Sequence, residues 1–406
     1  MAKPKIFVGL EIGTTKVCMV VGEVKADASV KILGMGTARS VGVRKGEIVD
    51  YANVRACVKT TLLEAEDMSD VEINGVFLAV TGAHLTGVNQ RGTYRLNEGE
   101  REISPVDVEG AKEMARDIEL PNENVILNTV VRQFWVDGNE STVNPVGLIG
   151  QTVDADLHIV HGVRTRVQNS IKCVREIPLD VEDVVFAPIA SAQVALDRDL
   201  KQAGALVIDM GGGTTDYVLY IEGAIAASGC IPVGGDHITN DIFLVTQIPH
   251  AKAELLKRHE GDASADPANS IGQVQVPDET GHTTASVDRA LLNNLIRGRL
   301  EETLMIIERR LKLRGSRQLG AGVFLTGGAS RMRGFGELTK EVFDAPVFRP
   351  EPPSADGVSA YYEDPQYSTV IGLLRYAQIL EEEQAMLSSG NFISRLWKNV
   401  WPFGKV

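Results

Sequence analysis

The chain has 406 residues, 44% of them apolar, which excludes a disordered chain and supplies core for about two or three domains. Its formal net charge of −13 repels nucleic acid at long range and excludes a general DNA- or RNA-binding role. The four cysteines, Cys18, Cys57, Cys173 and Cys230, form no CxxC pair and accompany no His cluster, so free, buried thiols in a reducing compartment are expected.

The N-terminus runs almost at once into the apolar Ile6-Phe7-Val8-Gly9, so no signal peptide is expected. No apolar run approaches the roughly 20 residues of a membrane-spanning helix. The pattern predicts a strand over 6–12, a turn through Gly13-Thr14-Thr15, and strands over 17–21 and 32–37. A helix over 54–66 and a strand over 76–81 follow. Between 84 and 163 the texture changes. Ser104-Pro105 opens a polar helix to Leu120, then come strands over 125–136 and 153–160, the second alternating Val153, Ala155, Leu157, Ile159. This reads as a compact α+β unit inserted in the first half.

The second half repeats the opening. The apolar strand Ala205 to Asp209 turns on Gly211-Gly212-Gly213-Thr214-Thr215 and returns through Tyr217 to Tyr220. Residues 261–286 are polar and rich in Gly, Pro and Asp, with a hairpin at 271–276. Leu292, Ile296, Leu300, Leu304, Ile307 and Leu311 recur at helical spacing. The strand 322–326 runs into Gly327-Gly328, and a last helix covers 369–380.

A strand that ends in a carboxylate and turns tightly on glycines suits a polyphosphate. Backbone N–H groups approach the phosphates, threonine hydroxyls add donors, and the acid holds magnesium through water. One such motif is weak evidence, but Glu11–Lys16 and Asp209–Asp216 occupy matching contexts in the two halves. The third turn, Leu325 to Arg331, has glycines that would let a purine lie against backbone. On this reading Gly13, Thr14, Thr15 and Lys16 meet phosphate from one side, and Gly212, Gly213, Thr214 and Thr215 from the other. Glu11 and Asp209 hold Mg2+, and Gly327, Gly328 and Ser330 face the adenosine of ATP.

These residues, in this order, resemble the actin, Hsp70 and sugar-kinase superfamily, and within it the bacterial cell-division FtsA family. The resemblance implies an α/β, two-lobed actin-like fold with a duplicated ATPase core, an inserted α+β subdomain and a C-terminal amphipathic helix. It also implies two helices crossing between the lobes, Phe186–Leu196 and Ser368–Ala377. Residues 1–83, 164–197 and 368–385 would form the first-lobe core, and 84–163 the insertion. Residues 198–234 and 321–367 would form the second-lobe core, 235–320 its upper subdomain, 386–391 a linker and 392–404 the terminal helix. The segment Ile231 to Ile242, with Gly235 and Asp236, looks like the family's approach to that upper subdomain, and Glu254 and Lys257 would lie on its ribose- and adenine-side helix. Two departures matter. Glu11 stands where the superfamily usually has Asp. Ala187-Pro188 stands where chaperones and rod-shape actins have Glu-Pro, whose Glu positions the attacking water, so at most slow hydrolysis is expected. Gln193 is the candidate substitute among the catalytic residues, against the competing reading of a glutamine with no catalytic role.

A small-molecule kinase would need a general base in a recognisable motif, and a chaperone a substrate-binding β-domain after the ATPase; the sequence offers neither. The alternative is another membrane-associated bacterial actin-like protein, of the rod-shape or pilus-assembly type. Resemblance to FtsA implies self-assembly into filaments, binding of the FtsZ C-terminal peptide near 235–320, contacts with other divisome proteins and a place on the cytoplasmic face of the membrane. Arg297, Arg299, Arg309, Arg310 and Arg314 could serve an acidic peptide, but the sequence favours a solvated face with Glu301, Glu302 and Glu308 as partners. The tail carries its own chemistry. On a helical wheel Phe392, Ile393, Leu396, Trp397, Val400 and Trp401 form one half, with Ser394, Arg395, Lys398 and Asn399 opposite. Such a helix is too short to span a bilayer but fits lying in the lipid interface, its basic side chains on anionic headgroups.

Overall fold

The computed structural model describes residues 5–25, 29–97, 99–139, 141–264, 266–277, 283–313, 318–350 and 364–388. The membrane residues expected in the tail, and Arg314, lie outside them.

Two sheets repeat one topology. In the first lobe the order is Asp180–Phe186, Gly75–Val80, Ile6–Ile12, Lys16–Val24 and Val30–Arg39. The first three strands are parallel and the last three form an antiparallel meander. In the second lobe the sequence Val347–Phe348, Gly322–Thr326, Ala205–Met210, Thr215–Ile221 and Ala224–Ile231 has the same order and the same senses. The duplication read from the two acid-turn motifs is therefore a duplication of whole sheets. The strand of each motif is the middle one of its lobe's five strands. Ala205–Met210 is buried throughout, as a strand covered on both faces must be.

Helices extend the periodic segments. Tyr51–Ser69 outruns the expected 54–66 because Asp50 caps it, accepting from Asn53 N at 3.2 Å. Pro105–Arg116 stops short of Leu120, because the backbone leaves helical geometry at Asp117, with ψ at 77°. The two crossing helices are Ala187–Ala195 and Ser368–Ser388. They meet at Gly372, where a Cβ would collide with the Ala190 carbonyl, so bare backbone is what lets them close. The long helix Arg289–Leu311 buries Leu292, Ile296, Leu300, Leu304 and Ile307, the stripe the spacing predicts.

The insertion folds Pro105–Arg116 against strands Thr86–Arg95, Thr152–Val163 and Asn124–Val136. Val153, Ala155, Leu157 and Ile159 are fully buried in its own core with Ile103, Phe134 and Ala111. Strand Thr86–Arg95 was not apparent in the sequence. It pairs with the second lobe at Thr86 and Gly229, joining the insertion and the second-lobe strands into one nine-stranded sheet.

Candidate functional site

Both acid-turn motifs close with the same hydrogen bond. Gly13 N donates to Lys16 O at 2.9 Å, and Gly211 N donates to Thr214 O at 2.9 Å. The two hairpins come from different lobes and meet face to face. A Cβ on Gly212 would collide with the Thr15 side chain, and one on Gly213 with that of Thr14. These glycines therefore leave a cradle that any larger residue would fill. Around it the cleft is lined by Glu11, Thr81, Ala187, Asp209, Asp216, Gly327, Gly328, Gln366 and Thr369 as well as both turns.

Three carboxylates converge on this cleft. Asp209 and Asp216 lie directly opposite each other on antiparallel strands, hence on one face. Thr369 donates to Asp209 Oδ2 at 2.7 Å. Thr81 donates to Asp216 Oδ1 and Oδ2 at 2.6 and 2.7 Å. Burial pushes the Asp209 carboxyl up to about 6, with the nearby Glu11 adding to it. Burial pushes Asp216 up to about 7. Glu11 Oε2 is buried without a hydrogen-bond partner, with Lys16 Nζ 3.8 Å away. An orphaned carboxylate oxygen beside two desolvated acids fits a divalent cation, whose charge would offset all three. Among the described residues no group of three or more His, Cys, Asp and Glu side chains is placed to hold a metal ion directly, so phosphate oxygens and water would have to complete its shell.

Other expected residues divide between the cleft and elsewhere. Lys16 Nζ donates to Gln366 O and stands 4.4 Å over the Tyr367 ring. Thr214 Oγ1 reaches Asp216 at 3.4 Å, but the Thr215 hydroxyl turns away to Val233 O at 2.7 Å. Gly235 N and Asp236 N donate to Gly211 O and Gly212 O, tying helix Gly235–Thr246 to the second hairpin. Burial raises the Asp236 carboxyl, and Lys257 opposes the shift. Lys257 Nζ donates to Gly235 O at 3.0 Å and pairs with Glu254 at 2.5 Å, with Thr239 between them. Ser330 does not present its hydroxyl to the cleft: the short turn Gly328–Arg331 folds it back onto Gly327 O at 2.7 Å. Gln193 is also placed elsewhere. Its amide donates to Ile189 O and its carbonyl accepts from Lys201 Nζ at 3.0 Å, while Ala187 is the crossing-helix residue lining the cleft. Arg297 pairs with Glu341, and Arg299 with Asp241 and Glu302, while Arg310 donates to Cys230 O.

Two residues of the cleft escaped the sequence reading, Thr81 and Thr369, and Asp216 entered it only as the end of the second motif, with no role assigned. For Asp216 a signal existed, because a hairpin turning on Gly211–Thr214 sets it across from Asp209. The threonines come from remote segments and carry no local motif.

The sequence model of the FtsA family, "Cell division protein FtsA", matches residues 206–372, and that of the "SHS2 domain inserted in FTSA" matches 82–161. The FtsA cell division protein of Pseudomonas aeruginosa is 33% identical over 392 residues, 96% of this chain and 94% of that one. That of Neisseria meningitidis serogroup B is 35% identical over 374 residues, 92% and 90% of the two chains. That of Escherichia coli K12 is 33% identical over 412 residues, 98% and 97% of the two chains. Among solved structures, the PilM–PilN type IV pilus biogenesis complex superposes with a TM-score of 0.62 at 17% identity, covering 91% of this chain and 98% of that one. MreB5 of Spiroplasma citri bound to ADP gives 0.52 at 16%, with 95% and 99% covered. The MamK double helical filament gives 0.53 at 12%, with 92% and 98% covered. At such identities the pilus and rod-shape relatives share the fold alone, and the fold is actin-like. Full-length identity and the matched insertion together decide the family: this chain belongs to the FtsA cell division proteins.

Proposed function

We propose that this chain binds ATP with Mg2+ between its lobes, assembles into filaments, and anchors the FtsZ ring to the cytoplasmic face of the cell membrane while helping recruit the divisome. One observation carries the nucleotide part: matched phosphate-type hairpins from opposite lobes, closed over two buried carboxylates and the half-buried Glu11. Gly13, Thr14, Thr15 and Lys16 would take phosphate with Gly212, Gly213 and Thr214. Glu11 and Asp209 would take the cation, joined by Asp216. Gly235, Asp236, Glu254, Lys257, Gly327 and Gly328 would surround the nucleoside. Bound magnesium would supply charge neutralisation to the phosphates. The Ala187 methyl in the cleft cannot orient water, which supports slow hydrolysis at most. The solved relatives described as bound to ADP and as a double helical filament support nucleotide binding and self-assembly here.

Membrane attachment rests on the tail chemistry of Phe392 to Trp401. No helix among the described residues is long and apolar enough to cross a membrane. The FtsZ tail peptide is assigned to the upper subdomain near 235–320. Since Arg297 and Arg299 are paired internally, an acidic peptide there must compete with Glu341, Asp241 and Glu302. The test has three arms. Labelled ATP is titrated with magnesium, FtsZ tail peptide is titrated separately, and anionic liposomes are pelleted with the wild type and with Trp397→Glu. Saturable binding in the first two, and loss of co-sedimentation in Trp397→Glu with ATP binding intact, are expected. Each arm that fails removes its own part of the proposal. Because one short helix binds lipid weakly, attachment should also rise steeply with filament formation.

A further inference from the structure

The inserted subdomain touches more than the lobe it interrupts. Toward the first lobe, Asn128 grips the edge strand Asp180–Phe186, donating to Val184 O at 3.0 Å and accepting from Phe186 N at 2.8 Å. Toward the second lobe, the same face of the insertion's sheet meets strand Ala224–Ile231, the second-lobe strand next to the insertion. Asn89 Nδ2 donates to Ala226 O at 2.8 Å, and Arg132 Nε to Ile225 O at 2.8 Å. His158, fully buried, lies 2.6 Å from Asn89 Oδ1 through Nδ1 and 2.7 Å from Ser228 Oγ through Nε2. Asn89 Oδ1 can only accept, so Nδ1 carries the proton, and in the neutral ring Nε2 accepts from Ser228.

A rigid unit fastened to both lobes cannot follow both when they part. In this structure the cleft is drawn together: Thr81 of the first lobe holds Asp216 of the second, and the two glycine-threonine turns touch. The seam at Asn89, Arg132 and His158 is made in that same conformation. On the nucleotide reading of the cleft the phosphates lie between the two hairpins, and separating the hairpins pulls the second-lobe edge away from an insertion held by Asn128.

We propose that the inserted subdomain is a clamp across the two lobes, and that its seam with strand Ala224–Ile231 must open before bound nucleotide is released. The proposal rests on the nucleotide reading of the cleft. Coupling of this kind is reciprocal: nucleotide that closes the cleft protects the seam, and a weakened seam loosens the nucleotide.

The test uses the full chain with a fluorescent ATP analogue and magnesium. Dissociation rates are measured for the wild type, Asn89→Ala, Ser228→Ala, the double variant and Ser228→Thr, and amide exchange is followed over 86–95 and 224–231. The double variant should release nucleotide about three- to tenfold faster. Ser228→Thr, which keeps the hydroxyl, should release at the wild-type rate. Nucleotide should slow exchange on both seam strands in the wild type. A purely structural seam would lower the melting temperature of the variants and leave the release rate alone, and that result overturns the clamp. So does wild-type binding with seam exchange unchanged. Failure of the wild type to bind any nucleotide overturns the reading of the cleft and the clamp with it.

Discussion

The two phosphate-type hairpins share a backbone and differ in charge. Each closes with a Gly N–H to a carbonyl three residues on, and each follows the middle one of its lobe's five strands. In the first lobe Glu11 stands opposite Cys18, and the turn ends in Lys16. In the second, Asp209 stands opposite Asp216, and the turn ends in Thr214. Burial pushes the Cys18 thiol up to about 12, so it stays neutral, whereas the equivalent position in the second lobe can ionise. Duplication supplied one scaffold, and divergence assigned it two tasks. The first turn ends in a lysine beside Glu11, and the second hairpin sets two acids opposite each other.

The largest expected effect tests that asymmetry. Asp209→Ala removes a buried carboxylate already held by Thr369 and should weaken magnesium-dependent ATP binding about 100-fold, equivalent to roughly 2.7 kcal/mol. Glu11→Ala should cost about tenfold, because its longer side chain reaches the same region with one oxygen unpartnered. Titration of ATP with and without magnesium separates the two. Equal losses, or a larger loss at Glu11, would break the division of labour.

A smaller effect has the opposite sign in stability. The folded-state carboxyl of Asp216 is raised to about 7, so its contribution to stability is fully present below about pH 4 and is lost as pH rises toward 7. Asp216→Asn removes that penalty. In the nucleotide-free protein it should raise unfolding free energy at pH 8 by on the order of 1–3 kcal/mol, and the gain should vanish by about pH 4. Nucleotide binding should fall in the same variant. The reverse change, Cys18→Asp in the other hairpin, should destabilise the fold at pH 8 and be tolerated better in acid. Denaturant melts at the two pH values check both. A pH-independent gain in Asp216→Asn would mean that repacking, and not the buried charge, sets it.

The sheets were legible because their central strands are apolar runs ended by an acid and a glycine turn. Strand Ile6–Ile12 and strand Gly322–Thr326 stand where the pattern put them. Strand Thr86–Arg95 was not legible. Its residues Asn89, Gln90, Arg91 and Gly92 carry no apolar alternation, yet they pair along Thr152–Val163, and Asn89 reaches across to Ala226 O in the seam. Helix Arg164–Arg175 was missed for a related reason: it buries only Val167, Ile171, Cys173 and Val174 among charged neighbours. In the cleft, backbone-led features came through, since glycine turns announce themselves. Side-chain direction did not. Thr215 and Ser330 have hydroxyls of the right type, but a neighbouring carbonyl claims each.

The smallest expected effect concerns the helix that joins the two hairpins' lobes. Gln193 lies six residues beyond the cleft-lining Ala187, about 9 Å further along a helix. Its carbonyl oxygen accepts from Lys201 Nζ, an ammonium that burial and the nearby Arg375 push down to about 8. A lowered lysine favours the neutral form, so stability is present above its unfolded value near 10.5 and is lost as pH falls through about 8. Below that pH the buried charge needs an acceptor, and Gln193 provides one. Gln193→Ala should therefore cost about 1 kcal/mol at pH 7 and less at pH 10, where Lys201 is already neutral in the fold. ATP affinity and the rate of any hydrolysis should stay within about twofold, since the side chain's hydrogen bonds go to Ile189 O and Lys201 and to no group in the cleft. A large loss of hydrolysis with stability unchanged would restore Gln193 to the chemistry, and the contrast between the hairpins would then need a third, shared contributor from the crossing helix.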